Sequence, residues 1–182
     1  YDQLNYNIGN GKVEPELSLI GDAVVSAYSA VLLSQGIAFL HGGDEFLRTK
    51  IEEVGPDGEY QGDEKGMVEM YGKVISHNSY KSAPKTNAFH YDRKIEVKET
   101  YDKFVEAIHL RNSLSDTVLN YQFPDNCDTT KLYNWEASLD RGYGVGINYA
   151  GKDFYILSLA NINSATGTIP VGNGQLKVLY SS

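Results

Sequence analysis

The stretch from Gln35 to Lys50, Gln-Gly-Ile-Ala-Phe-Leu-His-Gly-Gly-Asp-Glu-Phe-Leu-Arg-Thr-Lys, constrains this chain more than any other. It has three successive characters. Gln35 and Gly36 mark a helix exit, Ile37 to Leu40 form a short apolar run, and His41 onward is crowded with polar and charged side chains. An apolar run without alternation predicts a strand covered on both faces in a parallel sheet. The polar loop after it predicts functional groups at the C-terminal end of a barrel strand, turned toward a ligand.

The segment Glu16 to Ser34 places Leu17, Ile20, Val24, Tyr28, Val31 and Leu32 at helical spacing, with Ala23, Ala27 and Ala30 small enough for close packing. Pro15 starts that helix, and Tyr1 to Val13, rich in Asn and Gly, reads as a loop. The uncharged run Ala23 to Leu40 is about long enough to raise a membrane span. Ser26, Ser29, Ser34, Gln35 and Gly36 interrupt it, which favours a buried helix running into a buried strand. A second amphipathic helix is predicted over Lys98 to Ser113, with Tyr101, Phe104, Val105, Ile108 and Leu110 on or beside one face.

Between these, Ile51 to Ser76 is acidic and turn-rich and reads as a solvated surface insertion. Asp57, Glu59, Asp63 and Glu64 lack the alternating oxygen pattern of a calcium loop. Beyond Asp116 the segments 131–137, 143–149, 154–162, 167–171 and 175–180 are short, β-rich and separated by turn residues, as in an antiparallel sheet or sandwich. The chain is therefore expected to be α+β, with residues 1–116 as one part and 117–182 as a β domain.

A net charge of −8 argues against nucleic acid, which needs clustered Lys and Arg to displace counterions. Cys127 is the only cysteine, so neither an internal disulfide framework nor a Cys-based metal cluster is available. A lone cysteine fits the cytoplasm and a Gram-positive exterior alike. The start Tyr-Asp-Gln-Leu lacks an initiator Met and a leader pattern, as expected of a piece of a longer protein.

Asp44 and Glu45 are adjacent, and adjacent side chains diverge, so they are poorly placed to flank one glycosidic bond. His41 suits a hydrogen bond to a ligand or a loop carbonyl better than a metal, since no partner stands at ligand spacing. Ser29 and Ser34 lie outside any nucleophile-elbow pattern. Arg48, Asn78, Tyr80 and Asn87 supply the planar donors, acceptors and ring that sugar hydroxyls and sugar faces require. The same residues also suit a loop that simply turns often.

Gly36 to Lys50, with Asn78-Ser79-Tyr80 and Asn87, resembles the end of the catalytic barrel in pullulanase-like debranching enzymes of glycoside hydrolase family 13, the α-amylase superfamily. There the eighth barrel strand reads Gly-Ile-Pro-Phe, followed by His and a Gly-x-Glu-Phe-x-Arg-Thr-Lys loop, then Asn-Ser-Tyr-x-Ser-Pro-Asp and a further Asn. Tyr1-Asp2-Gln3-Leu4 resembles the stretch after the family's His-Asp-Asn motif, and Ile108-His109-Leu110-Arg111 its last barrel helix. Three departures stand out. Ala38 replaces Pro, the insertion 51–76 separates two pieces normally close together, and Lys81-Ser82-Ala83-Pro84 replaces Asn-Ser-Pro-Asp, with Asn87 or Asp92 as the compensating groups.

The resemblance implies the last strand and helices of a (β/α)8 barrel followed by an antiparallel β-sandwich, in a parent that hydrolyses α-1,6 glucosidic linkages with retention. Retention requires a nucleophilic Asp and an acid/base Glu about 5 to 5.5 Å apart. The family carries these upstream of the part matched here, so no catalytic residue is assigned to this chain. Asn78, Tyr80 and Asn87 would contact an α-glucan, with His41, Glu45 and Arg48 behind them. No metal or other cofactor is implied, calcium being left open for the parent. The location is left unassigned, with a slight lean toward a bacterial exterior or cell surface over the cytoplasm. A strand at 37–40 would need cover from the missing barrel portion or a second copy. The competing class is a noncatalytic glucan-binding module, in which Tyr133, Trp135, Tyr143 and Tyr149 form a stacking platform instead of packing a core. Within the enzyme class, isoamylase or branching activity is the nearest rival.

Overall fold

The computed structural model describes residues 1–34, 36–60, 62 and 64–114, the strand backbones 133–134, 142–149 and 152–159, and residues 177–181. The chain groups into two compact units, Tyr1–Val24 with His41–Tyr101 and Val25–Leu40 with Asp102–Ser182. None of its described helices is long and apolar enough to cross a membrane.

The first unit opens with a helix where a loop is expected. Helix α1 spans Asp2–Gly9 and stops at Asn10, whose left-handed backbone (φ 52°) lets Gly11 N–H close onto the Tyr6 carbonyl at 2.9 Å. The Asn and Gly residues that suggest a loop are thus partly a helix stop. Asn5 is buried on this helix, its carbonyl accepting from the Tyr71 hydroxyl at 3.1 Å and its amide donating to the Tyr1 hydroxyl at 3.3 Å.

Tyr71 comes from the tight turn of a hairpin. Strands β1, Met67–Met70, and β2, Lys73–Ser76, pair antiparallel, with Met70 opposite Lys73. Tyr71 and Gly72 both have positive φ, 52° and 72°, the two-residue geometry that matches strand twist. The segment before the hairpin lies along β2: Ser76 N–H donates to Lys50 O at 2.9 Å, and Glu52 N–H to Val74 O at 2.8 Å. Part of the expected surface insertion is therefore folded structure. Asp57 and Glu59 are exposed as expected, whereas Glu52, Met70, Ile75 and Ser76 are buried. Asp63 and the side chain of Glu64 lie outside the described residues.

Helices α2, Leu17–Leu32, and α5, Lys98–Leu114, fall where periodicity predicts them. The buried stripe of α2 is Ile20, Val24, Val25 and Leu32, while Val31 faces out. On α5 the buried positions are Thr100, Phe104 and Ala107, and Ile108 is exposed. Two single-turn helices, α3 at Pro84–Asn87 and α4 at Arg93–Glu96, complete the α-helices of the described residues.

In the second unit Leu32, Phe104 and Ala107 form a small core joined by Tyr28, Ala38, Leu40 and Tyr180. The Tyr28 and Phe104 rings tilt together at 5.4 Å. Arg111 closes the C-terminal end of α2, donating to the carbonyls of Leu32, Ser34 and Gly36. The Leu32 carbonyl is one of the orphan acceptors that a helix end leaves behind, and the other two lie just past that end. Strands β3, Tyr133–Asn134, β4, Gly142–Tyr149, and β5, Lys152–Leu159, form an antiparallel sheet in that order. Residues 167–171, Cys127 and Trp135, with the side chains of Tyr133, Tyr143 and Tyr149, lie outside the described residues.

Two of the expected strands are not formed among the described residues. Ile37 to Leu40 is extended but unpaired among the described residues, and it alternates: Ala38 and Leu40 turn to the core while Ile37 and Phe39 are 96% and 89% exposed. Its backbone has no neighbouring strand within the described residues, so the cover expected on both faces reaches only one. Residues 177–180 likewise lack strand structure, because Tyr180 is drawn into the core by hydrogen bonds from Ser29 (3.0 Å) and to Lys103 O (3.2 Å).

Candidate functional site

The polar loop after Leu40 folds into a one-turn 3-10 helix, Asp44–Phe46, bounded by two left-handed residues, Gly43 (φ 100°) and Leu47 (φ 55°). Arg48 N–H returns to Gly43 O at 2.9 Å, and Gly43 N–H donates to the Glu45 carboxylate at 2.9 Å. The turn drives Phe46 and Leu47 into full burial and folds the Arg48 side chain back over Gly43. A methyl group at 43 would lie 2.6 Å from Arg48 Cδ, so only glycine allows this approach. Asp44 is buried, whereas Glu45 is half-buried and His41 is exposed. The adjacent carboxylates thus sit in different environments.

Arg48 is the hub. Its Nη2 donates to the Asn87 carbonyl at 2.6 Å, and its guanidinium lies 4.3 Å above the Phe89 ring. Its buried Nε finds no partner among the described residues. An unmet donor costs about 1 to 3 kcal/mol, while the charged hydrogen bond and the ring contact return about 2 to 4 kcal/mol together. The arrangement therefore holds.

Asn87, at the end of α3, faces the other way with its carboxamide. Nδ2 donates to Ser79 O at 2.8 Å and Oδ1 accepts from the Ser79 hydroxyl at 2.7 Å. This clasps the 3-10 turn Ser79–Lys81. Asn78 and Tyr80 flank the buried Ser79 and are exposed, Tyr80 to 69%, with Lys81 Nζ 5.3 Å from its ring centre. Of the residues expected to meet a sugar, Asn78 and Tyr80 present their side chains outward. Asn87 stands behind them with both ends of its amide engaged.

The sequence reading missed the cluster beside Arg48. Phe89 and Tyr91 stack at 6.0 Å with 23° between planes, and both pack on Phe46, at 6.3 and 5.5 Å. Lys94 Nζ lies 4.6 Å from the Tyr101 ring, 5.1 Å from Tyr91 and 5.7 Å from Phe46. Phe-x-Tyr followed by a cation three residues on was the available signal. Asp92, named as a compensating carboxylate, is exposed at the start of α4. Next to it Arg93 donates to Phe46 O at 3.4 Å and lies 5.5 Å from the Tyr1 ring. Burial pushes the Tyr1 phenol above its ordinary pKa, with Arg93 opposing.

Among the described residues no three His, Cys, Asp or Glu side chains gather as a metal site. What the arrangement offers is a clamped loop presenting an amide and a phenol to solvent. No family model matches the sequence, and neither the curated proteins nor the solved structures yield a match.

Proposed function

We propose that this chain is the C-terminal portion of a retaining hydrolase of α-1,6 glucosidic linkages, pullulanase-like and catalytically incomplete by itself. Its 78–87 loop meets the glucan through Asn78 and Tyr80, with Asn87 and Arg48 holding the loop and Glu45 bracing the turn between His41 and Arg48. The observation that supports this reading is that distant segments carrying the motif are bonded through motif residues themselves. Asp2 binds Thr49, Arg48 binds Asn87, and Asn87 binds Ser79. In the parent the two reacting carboxylates lie upstream, and the missing barrel portion covers residues 37–40.

The test has two arms. Incubated with pullulan, the pure chain releases no reducing sugar, and measurable turnover would overturn the assignment. Titrated with maltohexaose and followed by NMR, it shows shift changes at Asn78 and Tyr80. Tyr80→Ala weakens the binding, by about 0.5 to 1.5 kcal/mol for the lost ring contact. Shift changes confined to other residues would place the glucan contact elsewhere.

A further inference from the structure

The 78–87 loop has a second tie, independent of Arg48, that comes from the acidic stretch. Glu52 is 4% exposed. Its backbone is pinned along β2 by the bond to Val74 and by the adjacent bridge between Ile51 and Ile75, which directs its carboxylate toward the loop. There it accepts hydrogen bonds from the Ser82 hydroxyl and, at 3.2 Å, from the Thr86 hydroxyl. The Ser76 hydroxyl lies 3.3 Å from that of Ser82. The ion pairs found among the described residues do not include Glu52. A carboxylate buried without a cation depends on such donors, so these hydroxyls are required where they stand.

Ser82 and Thr86 bracket the start and the body of α3, a single turn whose N-cap, Ala83, has no side chain able to cap it. One helical turn does not persist alone in water. Gly62 closes the pocket from a third side, since a methyl group there would lie 2.7 Å from Glu52 Oε1 and 3.1 Å from Ser82 Oγ. The neighbouring Glu53–Lys85 pair, at 2.6 Å, is exposed on both sides and adds little.

We propose that Glu52 is the positioning residue of the 78–87 loop. Its carboxylate fixes α3, α3 carries Asn87, and Asn87 clasps Ser79 between Asn78 and Tyr80. The purpose of the loop rests on the glucan reading above; the restraint does not.

Amide hydrogen exchange and maltohexaose affinity, measured on the 182-residue chain, test this. The amides to watch are Ser82, Asn87 and Ala88, which donate within the loop. Glu52→Ala should speed their exchange about tenfold or more, as loss of a charge-assisted bond implies, with α5 amides unchanged. Affinity should fall in parallel. Glu52→Gln, which keeps an acceptor, should restore both to within about threefold. A folded Glu52→Ala chain with unchanged exchange at these amides overturns the proposal. Should that variant fail to fold, Thr86→Val reads the same amides, and no acceleration there overturns it equally. Accelerated exchange in a chain that binds no maltohexaose supports the positioning role and removes the glucan reading.

Discussion

The Asp2 carboxylate grips the Thr49 hydroxyl at 2.6 Å with one oxygen and the Lys50 amide at 3.3 Å with the other. One side chain thereby ties the first turn of α1 to the loop that follows Arg48. Asp2 also lies where a negative charge complements the helix N-terminus.

Asp2→Ala should therefore cost about 1.5 to 3 kcal/mol, the range for hydrogen bonds to a charged group. Asp2→Asn, which keeps an acceptor for Thr49, should cost about half as much. Urea unfolding measures both. Equal stability of all three proteins would show that the grip contributes nothing.

Arg111 performs the corresponding task in the second unit, where its guanidinium reaches three carbonyls at and just past the end of α2. Lys keeps the charge and the favourable interaction with the helix terminus but not the planar fork. Arg111→Lys should cost about 1 kcal/mol and Arg111→Met about 2 kcal/mol, since Met removes every donor from the part-buried carbonyls of Leu32 and Ser34. The ordering, read from urea midpoints, is the discriminating result.

Tyr180 sets an alkaline limit. Burial raises its phenol above the ordinary 10.0, against a smaller lowering by the Ser29 hydrogen bond. The folded state thus holds the proton after the unfolded chain has released it. This contribution is complete below pH 10.0 and is lost as pH rises through the folded value. Stability should decline above pH 10 more steeply in the native chain than in Tyr180→Phe, which has no proton there to lose. Urea midpoints at several alkaline pH values give the slopes, and parallel slopes would contradict the assignment.

Helices α2 and α5 were legible because their apolar stripes repeat locally, and a stripe is visible wherever its partner lies. Helix α1 was not. Asn5 looks like a loop residue until Tyr71 arrives from the hairpin to bond its carbonyl, and no local pattern announces that. The hairpin itself turns on Tyr71-Gly72 in place of an Asn-Gly or Asp-Gly signal. At the candidate site, Arg48 and Asn87 were legible as residue types. Their relationship was not, because Arg48 binds a backbone carbonyl that any residue would offer. Glu52 was hidden for the opposite reason: among so many solvated carboxylates, composition does not reveal which one is buried.

The segment 37–40 separates two kinds of apolar residue that read identically in the sequence. Leu40 packs against the core of Leu32, Phe104 and Ala107, whereas Phe39 is almost wholly exposed. Leu40→Ala should cost about 2 kcal/mol, at the low end for a core truncation because the site is only partly buried. Phe39→Lys should change the urea midpoint by no more than about 0.5 kcal/mol equivalent, as at an ordinary surface position. It should also raise the concentration at which the chain self-associates in sedimentation experiments, because a charge on an unpaired extended segment opposes edge-to-edge pairing. A large loss of stability in Phe39→Lys would mean that this ring is covered in solution.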